Sequence, residues 1–205
     1  VLFSTTTGAN GNDSNTLDHC DIGDGATTPT NGLYALGSNN TTAKSNSGNT
    51  VSNCNVFNFY AATAVDAAGL RLDGGNTGWT LTGNSFYQTT SRAAVGANVR
   101  AIYLNAYLDA ASGNNFVVTG NFIGGSSPNA GGTPWTTTGT AVAYQFQGIR
   151  LFIGSSTPSS VQGNTIQNFV WTSSYSSISH PGVWCGIYVL GGSVNVGTVV
   201  GNTIE

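Results

Sequence analysis

Charge is what this sequence has least of. Five Lys and Arg and eight Asp and Glu make up 6% of 205 residues, where an ordinary soluble domain carries about 25%. That scarcity argues against helices with salt-bridged outer faces. The cations Lys44, Arg71, Arg92, Arg100 and Arg150 sit in a chain of net charge −3. They cannot supply the basic groove that a phosphate backbone needs, which argues against nucleic acid as a partner. No run of about 18 apolar residues and no basic amphipathic helix occurs, so membrane insertion is not expected. Methionine is absent. Three cysteines are too few for a disulfide scaffold, and their spacing fits no zinc motif. The sequence opens at Val1 without a signal-peptide pattern and stops at Glu205, which leads to the expectation of a piece of a longer polypeptide.

Abundant instead are Gly, Ser, Thr and Asn, which suit turns and strands, while 39% of residues are hydrophobic and periodic enough to bury a core. One six-residue pattern occurs six times without a gap: 17–22 (L-D-H-C-D-I), 51–56 (V-S-N-C-N-V), 81–86 (L-T-G-N-S-F), 118–123 (V-T-G-N-F-I), 161–166 (V-Q-G-N-T-I) and 199–204 (V-V-G-N-T-I). Its third position is Gly or a residue tolerant of positive φ, and its fourth is Asn or Cys. A period of roughly 30 to 45 residues marks a repeat architecture in which each unit stacks on the next.

A second pattern falls between the copies, at 33–37 (L-Y-A-L-G), 70–74 (L-R-L-D-G), 102–106 (I-Y-L-N-A), 149–153 (I-R-L-F-I) and 187–191 (I-Y-V-L-G). Alternation points Leu33, Leu70, Ile102, Ile149 and Ile187 inward, followed by Ala35, Leu72, Leu104, Leu151 and Val189. The spacing predicts two strands per repeat in one fixed order. Such strands pair in parallel, with the intervening segments as crossovers. The longest excursions are 124–147, with Trp135 and Tyr144, and 170–183, with Trp171, Tyr175 and His180. They leave corresponding corners of adjacent repeats, so they are expected to be neighbours and a candidate ligand face.

This alternation of G-I-x-L with G-N-x-I segments resembles the right-handed parallel β-helix of the pectin-lyase-like superfamily over nearly the whole chain. The resemblance implies an all-β solenoid of about five coils, one segment over 1–205, with loop insertions on one face. It also implies an internal amide ladder at a bend. The matching positions are Asn84, Asn121, Asn164 and Asn202, with Cys20 and Cys54 departing from Asn in the first two copies. A buried amide has four hydrogen-bonding positions that a translated copy of itself fills. Stacking would put Cys20 and Cys54 roughly 4.8 Å apart, as two thiols in a ladder or as a disulfide.

Candidate chemistry lies in four places. The outward column Tyr34, Arg71, Tyr103, Arg150 and Tyr188 offers a platform for sugar rings or a ladder of guanidinium and ring that satisfies itself. The next column, Leu36, Asp73, Asn105, Phe152 and Leu190, holds one carboxylate. Enzymes of the resembled family assemble several carboxylates on an outer sheet, so Asp73 with Arg71 is the catalytic candidate, against the reading of a surface ion pair. Trp135, Trp171, Tyr144 and Tyr175 could stack on pyranose faces or anchor their loops. Asp18, His19, Asp21 and Asp24 are the densest set of metal ligands, with Ca²⁺ near Asp21 and Asp24 the one cofactor candidate. His19 and His180 find no nucleophile at matching positions, so no triad is expected.

The style of the sequence resembles large modular surface proteins of bacteria. It implies an extracellular or cell-surface stalk or adhesin that meets polysaccharide or cell-surface glycan and the rest of its parent polypeptide. A polysaccharide lyase or glycoside hydrolase, and a purely structural spacer, are the alternatives.

Overall fold

The computed structural model describes residues 1–38, 42–107, 113–176 and 183–205; His180 lies outside them. Among the described residues the chain is all-β apart from a 3-10 turn at Thr42–Lys44. Three six-stranded parallel sheets recur in one fixed order along the chain. The first takes the strands Leu2–Phe3, Asn31–Ala35, Ala67–Leu72, Asn98–Leu104, Gln145–Phe152 and Trp184–Gly191 side by side. The second takes Thr16–Asp18, Thr50–Ser52, Thr80–Thr82, Val117–Thr119, Ser159–Gln162 and Val194–Val196, and the third Asp21–Ile22, Asn55–Phe57, Ser85–Tyr87, Phe122–Ile123, Thr165–Ile166 and Thr203–Ile204. Strands that pair only with the equivalent strand of the preceding and following repeat give stacked walls, an arrangement compatible with a parallel β-helix.

The expectation of two strands per repeat is corrected to three. The six-residue pattern bends in its middle, because its third residue takes a left-handed conformation: Gly83, Gly120 and Gly163 have φ of 66°, 62° and 59°, and His19 and Asn53 both 51°. An extended strand cannot pass through positive φ, so each of the first five copies contributes one short strand to the second sheet and one to the third; in the sixth the left-handed residue is Gly197, with φ of 63°, and the copy itself supplies only Thr203–Ile204.

Registers match the inward columns. Leu33, Leu70, Ile102, Ile149 and Ile187 pair in sequence, as do Ala35, Leu72, Leu104, Leu151 and Val189. Together with Val51, Leu81, Val118 and Val161 from the second sheet and Val56, Phe86, Ile123 and Ile166 from the third, they form one buried core, except at the last strand, where Ile187 is half-buried and Val189, expected inward, is 40% exposed. Each such side chain contributes about 1.5–3 kcal/mol by leaving water.

Two alignments change. Val161 pairs with Val196, not Val199, and Val199 is 87% exposed. The extra residues bulge outward and are fastened by Gln162, whose Oε1 accepts from Val199 and Val200 N–H at 3.1 and 3.2 Å. A register shift after Leu151 sets Phe152 opposite Gly191 instead of Leu190.

The long excursions are neighbours. Arg92–Ala93, Trp135–Thr138 and Phe169–Val170 form a further short parallel sheet. Thr172 N–H donates to Thr137 Oγ1 at 2.7 Å, and Trp171 Nε1 donates to Tyr144 C=O at 3.2 Å.

Candidate functional site

The amide ladder is the most regular polar feature of the interior. Asn84 N–H and Nδ2 both donate to Asn121 Oδ1 at 3.0 Å, and Asn121 N–H and Nδ2 to Asn164 Oδ1 at 3.0 and 2.9 Å. Asn164 repeats the pair on Asn202 Oδ1 at 2.9 Å. Each Nδ2 of Asn84, Asn121, Asn164 and Asn202 also donates back to the carbonyl of Val51, Leu81, Val118 or Val161, at 2.9–3.0 Å. Positive φ at the preceding residue, Gly83, Gly120 or Gly163, turns the side chains of Asn84, Asn121 and Asn164 inward. The cysteines keep the pattern with weaker groups. Cys54 N–H donates to Asn84 Oδ1 at 3.0 Å, Cys20 N–H to Cys54 Sγ at 3.4 Å, and Cys54 Sγ to Leu17 C=O at 3.6 Å. Both are free thiols. Cys185 is half-buried and donates to Ile187 C=O at 3.3 Å.

On the outer side of the first sheet the Tyr–Arg column is in register as read. Arg71 lies 5.7 Å from the Tyr34 ring and 5.3 Å from the Tyr103 ring. Arg150 lies 4.7 Å from Tyr103 and 5.9 Å from Tyr188. Arg100, three residues before Tyr103 on the same strand and unmarked by the sequence patterns, comes within 4.4 Å of its ring. Three guanidinium groups thus crowd a buried Tyr103, which leaves its faces little room for a sugar. Arg150 Nε and Nη1 meet no acceptor among the described residues.

Asp73 is 8% exposed and ringed by donors. Arg71 Nη2 and Tyr34 Oη reach its Oδ2 at 2.9 and 3.0 Å, and Arg71 Nε and Asn105 Nδ2 its Oδ1 at 3.0 and 3.2 Å. Burial raises the pKa of the Tyr34 phenol, and its bond to Asp73 adds to the rise. Such a carboxylate is held as an acceptor on both oxygens, with its partners drawn from three adjacent strands.

The aromatic excursions turn inward. Trp135 is 2% exposed, edge-on to Phe59 and Phe146 at 5.5 and 5.4 Å and tilted over Phe169 at 5.5 Å. Tyr144, 1% exposed, stacks on Trp171 at 4.6 Å, and burial pushes its phenol far above the ordinary range. Trp135 and Tyr144 are therefore corrected from ligand-facing candidates to core anchors, because neighbouring rings occupy their faces. Trp171 and Tyr175 are half-buried. Sequence reasoning passed over Phe146, Phe169 and Trp184, which complete this cluster. The signal was present in the paired positions Phe146 and Trp184 just before the inward column. Phe169, Trp171, Trp184 and Glu205 line a cleft of about 220 Å³.

The acidic segment fastens the first repeat to the second. Asp13, Asp18, Asp21 and Asp24 accept from Ser47, Ser52, Asn55 and Asn58, each 34 residues on, at 2.7–2.8 Å. Asp21 and Asp24 face separate amides, and no three His, Cys, Asp or Glu side chains converge among the described residues. That donor set does not fit a calcium cage of six to eight oxygens. Hydrogen bonds from Ser52, His19 and Asn53 bring the Asp18 carboxyl down to about 2, from an ordinary 3.8. At Asp66 burial opposes the charge, but the Arg100 bond and charge, with Asn98, outweigh it and hold the pKa low. A depressed folded pKa gives stability that is complete above the unfolded value and is lost as pH falls through the folded one. The urea midpoint is therefore expected to hold steady above about pH 5 and to fall between about pH 4 and 2. Asp18→Asn is expected to flatten part of that fall, and an unchanged slope would remove Asp18 from this role.

Comparison with known protein families, with curated proteins and with solved structures finds no match to this chain.

Proposed function

We propose that the chain is a stalk segment: a right-handed parallel β-helix of about five coils within an extracellular or cell-surface polypeptide, whose task is to hold distance and shape. Right-handedness follows the hand that crossovers between parallel strands take in about 98% of cases. One observation carries the reading. The side chains best suited to chemistry, Asp73, Arg71, Trp135, Tyr144 and the first-repeat aspartates, are all engaged in contacts between one repeat and the next. Asp73 lends the lyase or hydrolase reading no support, since that chemistry needs a second carboxylate and open oxygens. The rest of the parent polypeptide is the natural partner for the sheet edges at both ends.

A second reading, adhesion to polysaccharide or cell-surface glycan, is favoured by the aromatic cleft of about 220 Å³ that Phe169, Trp171, Trp184 and Glu205 line. Native electrophoresis through gels containing single plant, algal or microbial polysaccharides separates the two. The stalk reading expects unchanged mobility across the panel and no clearing of the polymer. Retardation abolished by Trp171→Ala would put adhesion first, and clearing around the band would overturn both.

A further inference from the structure

We infer that Cys20 and Cys54 are a redox-controlled clasp, closing as a disulfide between the first repeat and the second under mild oxidation. Flanking pairs are in register, Asp18 opposite Ser52 and Asp21 opposite Asn55, so the two cysteines stand opposite each other at the bend. Parallel neighbours lie about 4.8 Å apart, inside the Cα span of about 4.4–6.8 Å that a disulfide bridges. The present contact, Cys20 N–H to Cys54 Sγ at 3.4 Å, already brings the Cys54 sulfur against the Cys20 backbone. As a rung of the ladder this pair is weak, because sulfur is a poor acceptor. Every later rung uses an amide instead.

Access sets the order of events. Cys54 is 1% exposed, and burial raises its thiol pKa; Cys20 is half-buried, and its thiol donates to Asp18 C=O at 3.3 Å at the exposed edge of the bend. A low-molecular-weight disulfide is the oxidant. The Cys20 thiol loses its proton to solvent and the thiolate attacks one sulfur of that disulfide, forming a mixed disulfide and releasing one thiolate. Cys54, deprotonated in turn, attacks Cys20 Sγ, forming the internal bond and releasing the second thiolate; both released thiolates take up protons. Two protein thiols lose two electrons and one external disulfide becomes two thiols. The clasp adds a covalent tie to a repeat otherwise held to its neighbour by strand pairing and by the contacts of Asp13, Asp18, Asp21 and Asp24.

The test is to incubate the full chain with oxidised glutathione, count free thiols and map linked peptides, with a phosphine-reduced sample beside it. The free thiols are expected to fall from the three of the sequence to Cys185 alone. Peptides carrying Cys20 and Cys54 should become linked, and the melting temperature should rise by roughly 5–10 °C, reversibly on reduction. Cys54→Ser should instead keep glutathione on Cys20 with no such rise. Persistent glutathione on Cys20 of the native sequence, three thiols still free, or a link to Cys185 would overturn the inference.

Discussion

Asn121→Ala is expected to lower stability by about 3–5 kcal/mol, read as a fall in the urea midpoint at unchanged slope. The side chain sits at 0% exposure and is the acceptor for both Asn84 N–H and Asn84 Nδ2. Its own Nδ2 holds Leu81 C=O and Asn164 Oδ1 at 2.9 Å. Removing it strands a buried backbone N–H where no water reaches and leaves a void the size of an amide. Each buried group without a partner costs about 1–3 kcal/mol, and the void adds to that. Asn202→Ala should cost far less, about 1 kcal/mol, because Asn202 is half-buried at the end of the column and solvent can replace its bonds. Equal losses at the two positions would show that the column does not act through burial.

Trp135→Ala is expected to cost a comparable 3–5 kcal/mol while leaving behaviour toward polysaccharides unchanged. Its ring touches Phe59, Phe146 and Phe169, brought together from widely separated parts of the chain, so truncation opens one cavity against several neighbours at once. Aromatic pairs of this geometry add about 0.5–1.5 kcal/mol each beyond the area they bury. The measurement is thermal or urea unfolding beside the gel assay. A small loss of stability with loss of retardation on a glycan would reverse the assignment and return Trp135 to a ligand face.

The columns of the first sheet were legible because alternation and repeat length act together. Leu70, Ile102 and Ile149 recur with the same neighbours, and period two leaves one choice of face. The ladder was legible for a related reason: Gly-Asn recurs where a bend must reverse φ. The split of the six-residue pattern into two sheets was not, since strands of two or three residues have too few positions to show a period. Val199 misled because V-V-G-N-T-I matches without a gap, whereas the residue that pairs with Val161, Val196, lies three positions earlier and is settled only by the backbone ladder. Asp73 looked solitary because its closest partners beyond Arg71, namely Tyr34 and Asn105, come from neighbouring strands. The direction of Trp135 was open for want of any alternation around it, and contacts far along the chain decide it.

The central claim is that an internal column of amides joins one repeat to the next, and residue-resolved hydrogen exchange at the backbone amides of Asn84, Asn121 and Asn164 tests it most directly. These N–H groups sit at bends, where an ordinary turn amide faces water and exchanges fast, yet each is bonded to the side chain of the following repeat. They are expected to exchange as slowly as the strand amides of Leu81 and Val118, opening only with sub-global unfolding. Exchange at the rate of an unprotected turn, with those strand amides still protected, would contradict the claim.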